Sequence, residues 1–523
     1  MTGLTRRQFG GVVGVAGVAG VAGSGLFLGG FPGILRTGNG ALVRSTATLP
    51  AAYTLPFRVP PVAAGTMHAD GSLRYDVEQR TTDIEILPGL RTRMLTYAGS
   101  FPGVTLTSRS GRPTVVTVRN SLTVPTATHL HGGHTPADSD GYPTDLVLPP
   151  GMPGPPLVPG MPTDPAARVS SGRRDHTYPM RQRAATLWYH DHSMGATART
   201  VWHGLAGFHL VHDDEEEALG LPSGERDLPV MICDRAFAED GSLLYPPVLA
   251  EHNDMPMVPE GYRDGVLGDV TLVNGVPWPV LEAPAVRHRL RILNAANART
   301  YWLALSPPPA GGGGFVQVGS DGGLLETPNA RDVLHIAPAE RVDVVVDLGR
   351  YQPGDVVDVV NELDTGTMRA VMRFRVGQRA ADPSRVPDRL AIIERLDPAK
   401  AVARRSFQFR KSRSHGQWTI NGGAFDPARV DAGTALGALE VWSFTSDVAH
   451  PVHLHLDPFQ VVARGAPGRL APTDLGWKDT VALRPSETVE LAVRFTDYAG
   501  RYVFHCHNLE HEDMAMMANL VTS

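Results

Sequence analysis

The sequence predicts an all-β protein built from three copies of one β unit, and three observations carry that prediction. The 56 Gly and 44 Pro make up 100 of 523 residues, about 19% against a usual share near 12%, which favours short strands and turns over a helix bundle. Apolar residues alternate at period two, as in Val342, Val344 and Val346 and again in Val489, Leu491, Val493 and Phe495, the mark of half-buried strands. A weak internal repeat orders these strands. Length points the same way, since about 150 residues per domain divides the chain into roughly three.

The elements follow in chain order. Residues 1–45 read as a leader: Thr5-Arg6-Arg7-Gln8-Phe9 precedes an uncharged Gly/Ala/Val run to about Gly30, similar to a twin-arginine export signal. A Gly-rich membrane anchor is the alternative, weakened by the Gly content, although no clean A-x-A cleavage site follows. The three units span 46–215, 216–385 and 386–523. Each opens on a turn: Tyr97-Ala98-Gly99-Ser100-Phe101-Pro102, Val273-Asn274-Gly275-Val276-Pro277-Trp278 and Ile420-Asn421-Gly422-Gly423-Ala424-Phe425. A strand follows some 20 residues later, at Thr114 to Asn120, Arg289 to Asn294 and Leu439 to Phe444. The acidic run from His212 to Glu217 reads as a solvated domain edge. Gly377 to Pro387 reads as a linker, and Pro143 to Pro165 and Gly311 to Gly314 as surface loops.

The histidines separate the copies. The first has His129-Leu130-His131 and His190-Asp191-His192, and the third has His453-Leu454-His455 and His505-Cys506-His507. At matching positions the middle copy reads Tyr301-Trp302-Leu303 and Val359-Val360-Asn361, a scaffold without ligands. Residues i and i+2 of a strand share a face about 6.6 Å apart, so each H-x-H pair offers two imidazoles to adjacent metal ions. Imidazole suits Cu, Zn, Fe and Ni alike. Cys506 lies between His505 and His507 and so points to the opposite face; His450, an odd step from His453 and His455, does the same. With His511 and Met516 these complete two imidazoles, a thiolate and a thioether, the donors of a blue-copper site. Met514 and Met517 read as core, and Cys233 as a small buried hydrophobe.

The motifs HLHGGHTPADSDG (129–141), WYHDH (188–192), HPVHLH (450–455) and HCHNLEHEDMAMM (505–517) resemble those of the multicopper oxidases, in particular the three-domain bacterial group of laccases, phenoxazinone synthases and bilirubin oxidases. The resemblance runs from about residue 50 to the C-terminus. It implies three cupredoxin-like Greek-key β-barrel domains, the first and third sharing a cluster of three coppers and the third holding a type 1 copper. It further implies that His129 and His453 hold the type 2 copper. The type 3 pair would take His131, His190, His192, His455, His505 and His507, and the type 1 copper His450, Cys506 and His511 with Met516 as the weak axial ligand. Asp140 and Glu512 match acidic residues that deliver protons, as against a loop cap and a surface charge, while His134 and His203 read as structural.

The function this implies is an exported laccase-like oxidase that couples one-electron oxidation of phenols, aminophenols or aromatic amines to the four-electron reduction of O2 to water, with Cys506 as the electron bridge. Its partners are a small aromatic reductant and O2. Alternatives are a metallo-oxidase for cuprous or ferrous ions, a bilirubin-oxidase-type activity, a copper nitrite reductase, and a non-catalytic copper-binding or structural protein. A metallo-oxidase is disfavoured because the Pro-rich loop carries only Met152 and Met161; an electron carrier or nitrite reductase does not need four H-x-H pairs. A formal net charge of -6 gives no electrostatic reason to bind nucleic acid, two cysteines exclude a disulfide scaffold, and no stable membrane insertion is expected once the leader is removed. The sequence leaves the oligomeric state open.

Overall fold

The computed structural model describes residues 40–249, 257–412, 416–467 and 469–523; the Arg6-Arg7 motif and the Gly/Ala/Val run of the leader reading fall outside them, while Ala41 and Leu42, placed at its end, pair in parallel with Val266 and Leu267 of the middle unit. Among the described residues the longest helix is the six-residue Thr197–Trp202, and no helix is long and apolar enough to cross a membrane. The strands sort into three consecutive sets, Leu73 to His212, Asp227 to Val376 and Ala403 to Thr522, each folded into two sheets. Each set closes on its own core, with Val77, Val116 and Leu187 in the first, Leu290, Leu303 and Phe374 in the second, and Phe407, Phe444 and Phe504 in the third.

The repeat read from the sequence is one pairing scheme used three times. In one sheet of each set two strands run parallel, with Leu73 opposite Thr114, Leu228 opposite Leu290 and Phe407 opposite Phe444. The other sheet has a second parallel pair, with Leu106 opposite His209, Leu281 opposite Phe374 and Gly433 opposite Val521. Parallel neighbours need a crossover connection, and a chain that crosses between two sheets in this way is a Greek-key β-barrel. The repeated turns have one geometry: Ala98 and Gly99 (φ 55° and 80°), Asn274 and Gly275 (49° and 77°), Asn421 and Gly422 (52° and 80°). Two successive left-handed residues form the type I′ turn whose twist suits a two-residue hairpin.

Four sequence expectations change. Residues 46–57, read as part of the first unit, lie on the middle one: Tyr53 and Phe57 donate backbone N–H groups to Trp278 and Val280, because an open sheet edge captures an extended segment. Leu390 and Ala391, assigned to the third unit, join the middle unit's Leu324, Leu325 and Val345 in one cluster. The acidic run is not wholly solvated; Glu216 is buried, 2.7 Å from Arg289 and 2.9 Å from Arg291, and two guanidiniums offset the cost of burying its charge. In the middle unit Leu303 faces Asn361 and Leu305 faces Val359, so Tyr301 and Val359 are not opposite each other as His129 and His190 are. The stagger differs by four residues.

The three turns separate conformational cost from steric cost. A Cβ on Gly422 meets nothing within 4 Å, whereas one on Gly275 lies 2.6 Å from the Phe101 carbonyl oxygen. Gly422→Ala is expected to cost about 1 kcal/mol, the left-handed penalty alone, and Gly275→Ala to cost clearly more. Apparent Tm values of the two variants, read side by side, check that order.

Candidate metal centres at the seam of the first and third units

Strand pairing brings the four H-x-H motifs together. His129 faces His190 across one antiparallel pair and His453 faces His505 across another. The two sets of rings then stack on each other, His129 on His455 with centroids 3.9 Å apart and His131 on His453 at 3.6 Å. All eight are buried. Their donor atoms form groups within 4.8 Å of one another: His129, His131 and His453; His131, His190 and His507; and His192, His455 and His505. Burial holds His129, His131, His190, His455, His505 and His507 well below the usual imidazole value and takes His192 down to about 4.

The hydrogen bonds fix which nitrogen each ring presents. Nδ1 of His129, His190 and His453 donates to the carbonyl oxygens of Asp140 (2.6 Å), Asp191 (2.8 Å) and Asp479 (2.9 Å). His455 Nδ1 donates to Asp140 Oδ2 at 2.8 Å and His505 Nδ1 to the Cys506 carbonyl at 3.2 Å. With Nδ1 carrying the hydrogen, Nε2 of each neutral ring is a bare lone pair. Yet His129 Nε2 lies 3.4 Å from His453 Nε2, and His505 Nε2 lies 3.1 and 3.3 Å from His192 and His455 Nε2. His190 Nε2 and both nitrogens of His507 have no partner. Lone pairs aimed at one another in a buried site fit cations placed between them, and a set made wholly of imidazoles suits copper among the metals that imidazole binds.

On the opposite faces of the same strands lies a second centre. Val452 pairs with Cys506 and shares a face with His450, so the parity read from the sequence holds. His450 Nδ1 is 3.3 Å and His511 Nδ1 3.6 Å from Cys506 Sγ, and the two nitrogens are 3.2 Å apart. His450 Nε2 bonds Asp447 Oδ1 at 3.2 Å, which again leaves Nδ1 as the lone pair. Burial pushes the Cys506 thiol up, a cost that metal binding removes by displacing the proton. Met516 is buried in the cluster that holds Cys506, and its backbone ties to both Cys506 N and the His511 carbonyl. Met514 packs in the same cluster, Met517 in another.

Both acidic candidates touch the histidine cluster. Asp140 is buried; its carbonyl and Oδ2 accept from His129 and His455, and its Oδ1 has no partner. Burial raises its carboxyl well above the usual range. Glu512 has Oε2 at 3.1 Å from His505 Nδ1 and Oε1 at 3.5 Å from His192 Nδ1, and burial raises its carboxyl too. His134 pairs instead with Asp457 at 3.2 Å and with Asp497, and His203 Nδ1 donates to the Arg199 carbonyl. Cys233 is an unpaired buried cysteine in an apolar cluster.

Sequence reasoning missed several groups. Asp479 Oδ1 meets His131 Nε2 at 3.1 Å, Trp418 stacks on His511 at 3.9 Å, and Asp447 and Asn508 bond the second centre's nitrogen and sulfur. None lies in an H-x-H motif, and only position in space marks them. A cavity of about 440 Å³ reaches His129, His453 and His455 past Arg181 and Arg494. The Pro143 to Pro165 stretch, read as a surface loop, roofs a cavity of about 230 Å³ lined by Leu157, Met161 and Met194.

Family models described as multicopper oxidase match residues 78–216 and 399–523. A laccase of Bacillus subtilis strain 168 is 35% identical over 480 residues, covering 82% of this chain and 89% of the relative. A bilirubin oxidase of Albifimbria verrucaria is 32% identical over 496 residues, covering 89% and 80%. The crystal structure of a multi-copper oxidase from Pediococcus acidilactici superposes with a TM-score of 0.78 at 29% identity, covering 92% of this chain and 93% of that one.

A third acid links this site to stability. Glu510 accepts from Tyr245 Oη, Val266 N and Asn297 Nδ2, and burial pushes its carboxyl up to about 7. The folded state therefore holds this proton more tightly than the unfolded chain, and stability falls as pH rises from about 4.5 towards 7. Glu510→Gln cannot ionise. Its apparent Tm relative to the parent protein is expected to improve steadily from pH 5 to pH 8; a difference independent of pH would contradict the assignment.

Proposed function

The chain belongs to the multicopper oxidase family, and from that premise we propose a laccase-like oxidase that uses four copper ions and a small phenol, aminophenol or aromatic amine as reductant. It is a copper oxidoreductase with O2 as acceptor. The observation that carries the finer reading is the covalent run His505-Cys506-His507, whose thiol faces one donor set and whose imidazoles face the other. His450, Cys506, His511 and Met516 would hold the type 1 copper, and His129 and His453 the type 2. The type 3 pair would be held by His131, His190 and His507 on one side and His192, His455 and His505 on the other. Bound copper would supply a one-electron acceptor at the first centre and, at the cluster, a place where four electrons drawn one at a time from four reductant molecules, with four protons, reduce O2 to two waters.

The protein's own groups do the rest. Asp447 is partly exposed, bonded to His450 Nε2, and held below the usual carboxylate range despite burial by its bonds to His450 and Lys411 N. It is an acceptor for a phenolic or arylamine hydrogen at the entry to the Cys506 site. Asp140 stays protonated because it is buried, and its unpartnered Oδ1 is where that proton is held for delivery towards the cluster. Glu512 does the same on the side of His192 and His505. The cavity beneath Arg181 and Arg494 supports O2 entry and water exit on the His129–His453 side. The Arg6-Arg7 leader supports export of this oxidase by the twin-arginine route.

Copper per chain and O2 uptake with a phenol test the reading. Four coppers and phenol-dependent uptake are expected; fewer than four with no uptake would overturn it. Cys506→Ser is expected to keep three coppers while losing blue absorbance and turnover together. Asp140→Asn is expected to lower kcat by about 10²-fold or more with blue absorbance unchanged. Met516→Leu removes the thioether and is expected to raise the type 1 potential with the blue colour retained; a redox titration without a rise would refute the axial assignment.

A further inference from the structure

We propose that Arg341, contributed by the middle unit that carries no ligand, is a positioning residue for the cluster: it clamps Asp479 so that His131 presents Nδ1 rather than Nε2. His131 differs from its neighbours. Five other cluster rings donate from Nδ1, whereas His131 has Nε2 at 3.1 Å from Asp479 Oδ1 and its Nδ1 buried without a partner. A carboxylate only accepts, and Thr480 Oγ1, also 3.1 Å from Nε2, gives its own hydrogen to Asp479 Oδ1 at 2.9 Å, so the ring hydrogen sits on Nε2 and the lone pair on Nδ1. That is the nitrogen free to join His190 and His507.

The carboxylate is held from outside the ligand-bearing units. Arg341 is fully buried, and each of its five N–H donors has an acceptor. Nε donates to the Thr186 carbonyl (2.9 Å), Nη1 to the Ala339 carbonyl (3.0 Å) and Asp479 Oδ1 (2.8 Å), and Nη2 to the Asp321 carbonyl (3.2 Å) and Asp479 Oδ2. One guanidinium thus binds all three units at the wall of the cluster. Asp321 accepts from Arg341 N at 2.8 Å and pairs with Lys478 Nζ at 2.9 Å, locking the segment that carries Asp479. The space is specified as well: a Cβ on Gly132, next to His131, would lie 2.6 Å from Arg341 Nη2 and 2.7 Å from Asp479 Oδ2. A bidentate fork fixes a carboxylate's plane in a way an ammonium does not, and carboxylate–histidine contacts set the tautomer and basicity of metal ligands.

This inference rests on the reading of His131 as a copper ligand, and the tests keep the two apart. In metal-free protein, ¹⁵N chemical shifts of the His131 ring report its tautomer directly. Nε2–H is expected in the parent, and a mixture with Nδ1–H in Arg341→Lys and Asp479→Asn. In copper-loaded Arg341→Lys, the affinity of the paired site is expected to weaken about 10–100-fold, with loss of its near-ultraviolet absorption while the blue absorbance of the Cys506 site stays intact. A parent-like tautomer and full copper content in both variants would overturn the proposal. Loss of blue absorbance and cluster together in Arg341→Lys would also overturn it, by showing a general structural role. Undiminished copper in His131→Ala would instead refute the ligand reading, and the tautomer measurement would still stand.

Discussion

The rest of the structure depends on imidazole lone pairs aimed at one another in a buried space. Five rings give their Nδ1 hydrogens to protein acceptors, so their Nε2 atoms face inward with nothing to receive but a cation. In a low-dielectric interior such an arrangement is unfavourable by itself, and a bound metal ion would offset that cost. The acceptors that enforce it are mostly main-chain carbonyls, at Asp140, Asp191, Asp479 and Cys506. The direction of four of these lone pairs is therefore set by the main chain, and only that of His455 by a side chain, Asp140.

Strand parity then divides the chemistry. Alternation sends His453 and His455 to one face and His450 to the other, and it sends His505 and His507 away from Cys506. Two centres with different donors share a single backbone stretch. The first face is made only of imidazoles; the second mixes a sulfur with two imidazoles beneath Trp418. Burial raises the Cys506 thiol and lowers the His450 and His511 imidazoles beside it, and on the other face it lowers those of His129, His131, His190, His192, His455, His505 and His507.

Around this seam the charged groups are of two kinds. Asp140 and Glu512 sit against ring nitrogens with no guanidinium or ammonium to stabilise their charge, and burial raises both carboxyls above the usual range. Asp479 also sits against a ring, yet it has Arg341, and Coulombic attraction together with the bidentate hydrogen bonds holds it well below the usual carboxylate range in spite of its burial. The same residue type thus holds a proton in one place and orients a ligand in the other. The middle unit, which carries none of the H-x-H pairs, supplies the difference through Arg341.

By itself the sequence determined the β class, the three-fold repeat and the grouping of histidines into four H-x-H pairs, because period-two alternation and H-x-H spacing are local and survive without tertiary information. It placed Cys506 opposite His505 and His507 for the same reason. Only the tertiary structure decided how six of those histidines divide into two triplets, which nitrogen each ring presents, and that Asp479, Arg341 and Asp447 belong to the sites at all. The capture of residues 46–57 by the middle sheet and the burial of Glu216 were hidden likewise. Some of these rest on near neighbours, such as the His190 and His505 rings on the next residue's carbonyl, but most depend on contacts between residues tens to hundreds of positions apart, set by how sheets pack, which no spacing along the chain encodes.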